Sequence, residues 1–315
     1  MRMHWVAVAG ILLSCVRAQA PLRATARLVV APVTVHTAEG RPVHGLEKRD
    51  FRLWDNGTRR DFDVELLEQR VSLVVVVQTN TAAVAALAKL KKVNSLLAPV
   101  VAGARGTAAV VGFSDEVRVA REFSASPELA AFQARGQQAR MLDAVDEAVR
   151  LLETRPKAHR RVVLVVSEPK DRGSKAALAD VLKRAQAASV TIFPVSFSAT
   201  YRQFASRDVP TSGPDAPAGG PDIAAILREL GRLGKEDTAA ALARETGGGR
   251  WKFTRQQALE EALSQIGEEI HTQYLLAFQP VNAAGEEYRA IRVELPGKPE
   301  LRLRTRPGYW ITPEP

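Results

Sequence analysis

The chain has 315 residues, 46% of them hydrophobic and 25% charged, with a formal net charge of +9. These are the proportions of an ordinary globular protein, long enough for about two domains and for a core that needs no covalent staples. The basic residues are scattered instead of forming a run with interleaved aromatics, which reads as a solvated basic surface and argues against a nucleic-acid partner.

The N-terminus "MRMHWVAVAGILLSCVRAQA" combines a basic Arg2, an apolar stretch from Trp5 to Leu13 and a small-x-small signal at Ala18–Ala20. It reads as a secretory signal peptide over residues 1–20. The apolar stretch falls short of the roughly 20 residues that a spanning helix needs, and no later segment reaches that length. Lipidation of Cys15 is the alternative to cleavage after Ala20. Cys15 is the only cysteine. Cleavage after Ala20 would therefore exclude disulfides, zinc–thiolate centres and a cysteine nucleophile from the mature chain. The expected address is periplasmic or extracellular.

Residues 26–35, "ARLVVAPVTV", alternate like a strand. "DFRLWDNGTRRDFDVELLE" predicts two strands around Asp55-Asn-Gly57, because Asn-Gly supplies the positive φ angles of a tight hairpin. Residues 22–70 therefore read as antiparallel β structure. At Val71 the pattern changes to "VSLVVVV", a continuous apolar run expected of a strand buried on both faces of a parallel sheet. An Ala/Leu/Lys-rich helical stretch, residues 81–101, follows. "GTAAVVGFSDEVRVAREF" predicts a buried strand, a turn and an antiparallel partner. Residues 138–153 place Met141, Leu142, Val145, Val149 and Leu152 on one helical face. "RRVVLVVS" and "VTIFPVSF" read as further buried strands, separated by the helix in "GSKAALADVLKRAQAAS". Strands alternating with helices predict a doubly wound, mostly parallel, Rossmann-like α/β sheet.

Residues 200–222 hold four prolines and three glycines and predict a long mobile loop. "IAAILREL" and "KEDTAAALARETGGG" read as helices, the second ended by Gly247–Gly249, and "QQALEEALSQIGEEIHTQ" as an amphipathic helix. From residue 273 the pattern returns to alternating strands. The expected organisation is an α/β domain over 71–272, inserted into a small β-sandwich-like domain built from residues 22–70 and 273–315. The alternative is two separate β hairpins packed on the α/β domain.

These segments together resemble a von Willebrand factor type A domain, in particular the exported acidobacterial subfamily. The carriers are "GRPVHGLEKRDFRLWDNG", the strand ending at Gln78, "GFSDEV", "RRVVLVVSEPKD", "LARETGGGRWKF", "IGEEIHTQYLLAFQP" and the closing "RAIRVELP…LRLRTRPGYW". The likeness covers nearly all of the mature chain. It implies a metal-ion-dependent adhesion site on the upper edge of the sheet, reading Asp-x-Ser-x-Ser after the first strand, with a loop Thr and a later Asp. Mg²⁺ there needs hard oxygen ligands, including carboxylates.

This chain departs from that pattern. Gln78 stands at the first Asp, Asn80 and Ala82 at the two Ser positions, Ala139 at the Thr, and Ser167-Glu168 where Ser-Asp belongs. Only Glu168 keeps a negative charge in a ligand position. Asp171 lies nearby without a ligand role carried over from the family. The preferred reading of the turn is structural, with Asn80 or Thr81 capping the next helix.

An enzyme is not expected. His36, His44, His159 and His271 form no metal-binding pair and read as surface or loop residues. No Gly-x-Ser-x-Gly elbow, dinucleotide fingerprint or phosphate loop sits in its required context. Asp143, Asp146 and Glu147, beside Arg140 and Arg150, read as a charged outer helix face. The expectation is an exported, non-catalytic module that binds a protein partner, with no cofactor. Binding would use the upper loops, Gln78–Ala82, the segment around Gly136–Arg140, Ser167–Ser174 and residues 200–222, with Gln78, Thr79, Asn80, Thr81, Glu168 and Asp171 on the binding face. One alternative is Mg²⁺-dependent adhesion through Glu168, Asn80 and Gln78; another is an exported enzyme of unidentified chemistry.

Overall fold

The computed structural model describes residues 28–65, 70–92, 106–125, 132–197, 228, 231–232, 234–281 and 285–311. The expected leader, Cys15, residues 93–101 of the first expected helix and the 200–222 loop lie outside the described residues.

The N-terminal strands are β1 (Val29–His36), β2 (Arg52–Asp55), β3 (Thr58–Arg60) and β4 (Asp63–Glu65). A second group comprises β5 (Val71–Gln78), β6 (Thr107–Phe113), β7 (Val117–Ser124), β8 (Arg160–Ser167), β9 (Val190–Phe197) and β10 (Trp251–Phe253). The C-terminal strands are β11 (Tyr274–Phe278), β12 (Glu287–Glu294), β13 (Arg302–Thr305) and β14 (Gly308–Ile311). The helices are α1 (Val84–Lys92), α2 (Met141–Glu153), α3 (Leu178–Ala187), α4 (Thr238–Thr246) and α5 (Gln256–Thr272).

The second group forms one sheet in the order β10-β9-β8-β5-β6-β7, parallel throughout except for β7, which runs antiparallel to β6. Every residue of β5, β8 and β9 is buried, which explains their unbroken apolar sequences. Successive β5 residues serve opposite faces. Val71, Leu73, Val75 and Val77 pack with α1 and α5, while Val74 and Val76 pack with α2, α3 and α4. The five α2 residues expected on one face are all buried. The doubly wound sheet is therefore covered on both sides.

The two chain ends combine. β1 pairs with both β11 and β13, giving the sheet β13-β1-β11-β4, and β2 pairs with β12 in the sheet β14-β12-β2-β3. Both sheets share one core that includes Val33, Leu53, Tyr274, Phe278 and Tyr309. The fold is thus an α/β sheet plus a β sandwich made from both ends of the chain. Two separate hairpins would not have produced these pairings. The expected turn is present, with Asn56 at φ 52° and Gly57 at φ 80° between β2 and β3.

A buried polar network joins the two bodies. Glu269 on α5 forms an ion pair with Arg304 on β13 and accepts a hydrogen bond from Thr34 on β1 at 3.3 Å. Gln273, in the α5–β11 link, donates to Thr34 at 2.9 Å, and Arg160 at the start of β8 donates to Gln273 and to the Ile270 carbonyl. Burial lowers the Arg160 pKa to about 10. On another side the Trp310 N–H meets Gln186 of α3 at 3.3 Å, and the Lys183 ammonium lies 4.5 Å over the Trp310 ring.

Candidate functional site

The strand order places the topological switch point between β5 and β8, the central parallel pair from which the chain departs in both directions. In open α/β sheets, ligands bind outside the carboxyl ends of the strands at that point. The residues there are Gln78, which ends β5, Ser167, which ends β8, and Glu168, which follows it.

Gln78 is fully buried and uses its whole amide. Its Nε2 donates to Asn80 Oδ1 at 2.8 Å and to Glu168 Oε2 at 3.1 Å, while its Oε1 accepts from the Glu168 backbone N–H at 2.8 Å. Asn80 donates in turn to the carbonyls of Gln138 at 3.1 Å and Gln137 at 3.4 Å. The Ser167 hydroxyl donates to the Glu168 carbonyl at 2.7 Å, and the Arg172 guanidinium lies 3.9 Å from the Glu168 carboxylate. The Gln78 amide NH₂ therefore lies between two acceptor oxygens, where its two protons do electrostatically what a cation would do. One carboxylate and neutral amides, one of them presenting its donor side, are a poor ligand set for Mg²⁺, which takes octahedral oxygen ligands including carboxylates.

The loops around this centre are tied down by the same means. Thr79 donates from both its N–H and its hydroxyl to the Phe113 carbonyl, at 2.7 and 3.0 Å. Thr81 does the same to the Gly136 carbonyl, at 3.2 and 3.4 Å. Asp115 accepts from the N–H groups of Gln137 and Gln138 at 3.0 and 2.7 Å. Gly136 adopts φ +84°, and a Cβ there would sit 2.6 Å from the Asp115 carboxylate. Ala139, the residue at the expected Thr position, is buried and exchanges two backbone hydrogen bonds with Arg172, at 3.0 and 2.9 Å.

Several expected roles change. Asn80 occupies the N-cap position before the short helical turn Thr81–Ala83, but its side chain makes no capping hydrogen bond, because Gln78 and the 137–138 carbonyls engage it. Thr81 does not cap either; it reaches across to Gly136. Of the six residues expected on a binding face, only Thr81 is exposed. Gln78, Thr79, Asn80 and Glu168 are buried, since they satisfy one another and the loops above them. Asp171 stands apart from that network. Its carboxylate accepts from the Leu142 N–H at 3.0 Å and the Ser174 hydroxyl at 2.6 Å, fixing the start of α2.

Asp143 belongs to the loop scaffold more than to an outer face. It accepts from the N–H groups of Lys175 and Ala176 and pairs with Arg140 at 2.5 Å. Burial opposes its ionisation, but those N–H groups and the guanidinium outweigh that and hold its carboxyl below the usual range. Asp146, by contrast, pairs with Arg150 one turn on, as the charge pattern predicts, and also with Arg184 of α3. The exposed residues of the upper loops include Thr81, Asp115, Glu116, Arg135, Gln137, Gln138, Lys170 and Arg172, of which Gln137, Gln138, Lys170 and Arg172 fall within the expected binding loops 136–140 and 167–174. Asp115, Glu116 and Arg135 fall outside them, because a charged loop residue carries no local signal of such a role.

The histidines do not converge. His36 is buried at the end of β1, contrary to the expected surface position, because β13 covers that strand. His159 meets the Ser72 hydroxyl at 2.9 Å, but Ser72 is fully buried at the opposite end of β5 from the switch point. Among the described residues no three His, Cys, Asp or Glu side chains cluster as metal ligands, and no helix is long and apolar enough to cross a membrane.

No known family pattern matches the chain, and no curated protein matches it. Among solved structures, it is similar to an aerotolerance-related membrane protein from Bacteroides fragilis, at 12% identity and a TM-score of 0.40, covering 63% of this chain and 99% of that one. It is also similar to a von Willebrand factor type A protein from Catenulispora acidiphila, at 12% identity and 0.43, covering 93% of this chain and 67% of that one. A third is proximal thread matrix protein 1 from the mussel byssus, at 11% identity and 0.45, covering 70% of this chain and 51% of that one. These scores are too low to carry weight, and the architecture rests on the strand pairings themselves.

Proposed function

We propose that this chain is an exported, non-catalytic protein-binding module with a type A-like sheet, whose upper edge engages its partner without a divalent cation. The observation that carries the reading is the Gln78 amide, hydrogen-bonded to Asn80 and Glu168 at the switch point. It occupies the centre of the edge with its own protons, so a bridging cation has neither the ligands nor the need. Contact with a partner then falls to the exposed rim, where Arg135, Lys170 and Arg172 favour an acidic surface. The buried polar network beneath holds the rim loops in place before binding, which lowers the ordering cost of association. The leader-like residues 1–20 supply the export part of the reading.

Affinity capture from an envelope extract, with the full-length mature chain as bait, tests this proposal. A specific partner should be retained equally in buffer with chelator and with magnesium, and lost when Arg135→Glu and Lys170→Glu are combined. Retention that requires magnesium would contradict cation independence, and retention by the double variant would remove the rim from the account.

A further inference from the structure

The β sandwich carries a groove of about 540 Å³ that the upper-edge reading does not use. It opens where the chain crosses from β12 to β13, between the ends of the two sheets. Its floor is apolar: Leu295, Leu301 and Leu303 are half-buried and continuous with the core of the sandwich. Its rim is cationic, with Arg52 from β2 on one sheet, Arg302 from β13 on the other, and Lys298 from the connecting turn.

These charges are not equally engaged. Lys298 pairs with Asp50 at 3.6 Å. The groove's own carboxylate, Glu294, faces Arg52 across the strands but turns to Arg292, at 2.9 Å. Arg52 and Arg302 are exposed and have no ion pair among the described residues. A groove of this size lies within the range of natural ligand pockets, roughly 300–1,000 Å³. Two guanidinium groups above an apolar floor match a ligand that presents carboxylates beside apolar side chains, because a guanidinium fork pairs with a carboxylate through two parallel hydrogen bonds.

We infer that this groove is a second binding site, taking a short acidic, leucine-type segment of a protein partner. The concave shape fits an extended peptide better than a flat bilayer face. Among the described residues the lining has no aromatic side chain on which a base would stack. The inference stands independently of the upper edge, because none of the rim residues there lines the groove.

The test is fluorescence anisotropy of the full-length mature chain with a fluorescein-labelled acetylated hexapeptide of alternating Leu and Glu. The expected result is saturable binding that weakens by about tenfold or more in the Arg52→Glu/Arg302→Glu variant, a difference worth about 1.4 kcal/mol. The neutral variant Arg302→Gln should weaken it by a smaller factor, so the site remains testable if the double reversal perturbs folding. Replacing Glu by Lys in the probe should abolish binding, and replacing Leu by Ser should weaken it by about tenfold. Arg135→Glu on the upper edge should leave it unchanged. The inference is overturned if the wild-type chain does not bind the Leu/Glu probe, or if Arg135→Glu weakens binding as much as the groove variants do. Equal binding of the Ser/Glu probe, or capture of phosphatidylglycerol vesicles in place of the peptide, would overturn it too.

Discussion

Replacing Gln78 by Glu probes the switch point with a near-isosteric change. In the native cluster Nε2 donates to Asn80 Oδ1 and to Glu168 Oε2, the latter at 3.1 Å. Gln78→Glu removes both donors and sets a carboxylate against another one. Two unit charges at 3.1 Å repel by about 5 kcal/mol at an effective dielectric constant of about 20. Protonation caps that cost. A carboxyl of ordinary pKa about 4.3 takes up a proton at pH 7 for about 4 kcal/mol, so the loss should level off near that value. For a chain of this size that is about 10 °C in melting temperature. The introduced carboxyl would titrate above its unfolded value in the fold, so the folded state would hold more protons. The deficit should therefore grow from about pH 4.3 upwards and shrink on acidification. When ionised, the variant also sets two carboxylates and one amide oxygen together at the switch point. Divalent cations should restore part of its stability, by about 2.7 kcal/mol at a hundredfold excess over the dissociation constant, and leave the wild type unmoved. Thermal unfolding across pH 5–8, in chelator and in Mn²⁺, reads all of this. A variant as stable as the wild type at pH 8, or a wild type that gains as much from Mn²⁺ as the variant does, would refute the reasoning.

Three other perturbations bear on the frame. Glu269→Ala leaves Arg304 buried without its partner and should cost about 3–5 kcal/mol in urea unfolding, whereas Glu269→Leu with Arg304→Met should recover most of the loss. Gly248→Ala would set a Cβ 1.9 Å from the Ile192 carbonyl oxygen, so its cost should exceed the about 1–3 kcal/mol of ordinary overpacking; Gly285→Ala, with open space around it, should be silent. Burial, together with Arg155, Arg70 and Arg161, lowers the His159 pKa below its usual 6.5. The unfolded state then binds the proton more readily, so stability should fall as pH drops below about 6.5. That dependence should flatten in His159→Gln, measured by denaturation at fixed salt.

Much of the frame was legible in the sequence, because burial on both faces writes continuous apolar runs such as "VSLVVVV" and "RRVVLVVS", and Asn56-Gly57 carries its turn chemistry locally. Pro194 would ordinarily argue against an interior strand, yet β10 pairs with β9 only from Val195 onward, so one side of the strand is still open at the proline. Less legible was what depends on partners far along the chain. No local pattern says that β4 leaves β3 to join β11 in the opposite sheet. Gln78 and Asn80 could be placed at the turn, but not their side chains' choices. Glu168 lies 90 residues from Gln78, and that contact turns a nominal ligand position into a closed hydrogen-bonded cluster. Asp143 misled for the same reason: helical spacing suggested an outer face, while the backbone of Lys175 and Ala176 captures it.

Isothermal titration of the wild-type mature chain with Mn²⁺ and Mg²⁺, beside Glu168→Ala, tests cation independence most directly. The account predicts no site tighter than about 1 mM in either protein, the weak end of extracellular cation modules. A tighter site in the wild type that disappears in Glu168→Ala would contradict it, and would return the switch point to metal-dependent adhesion.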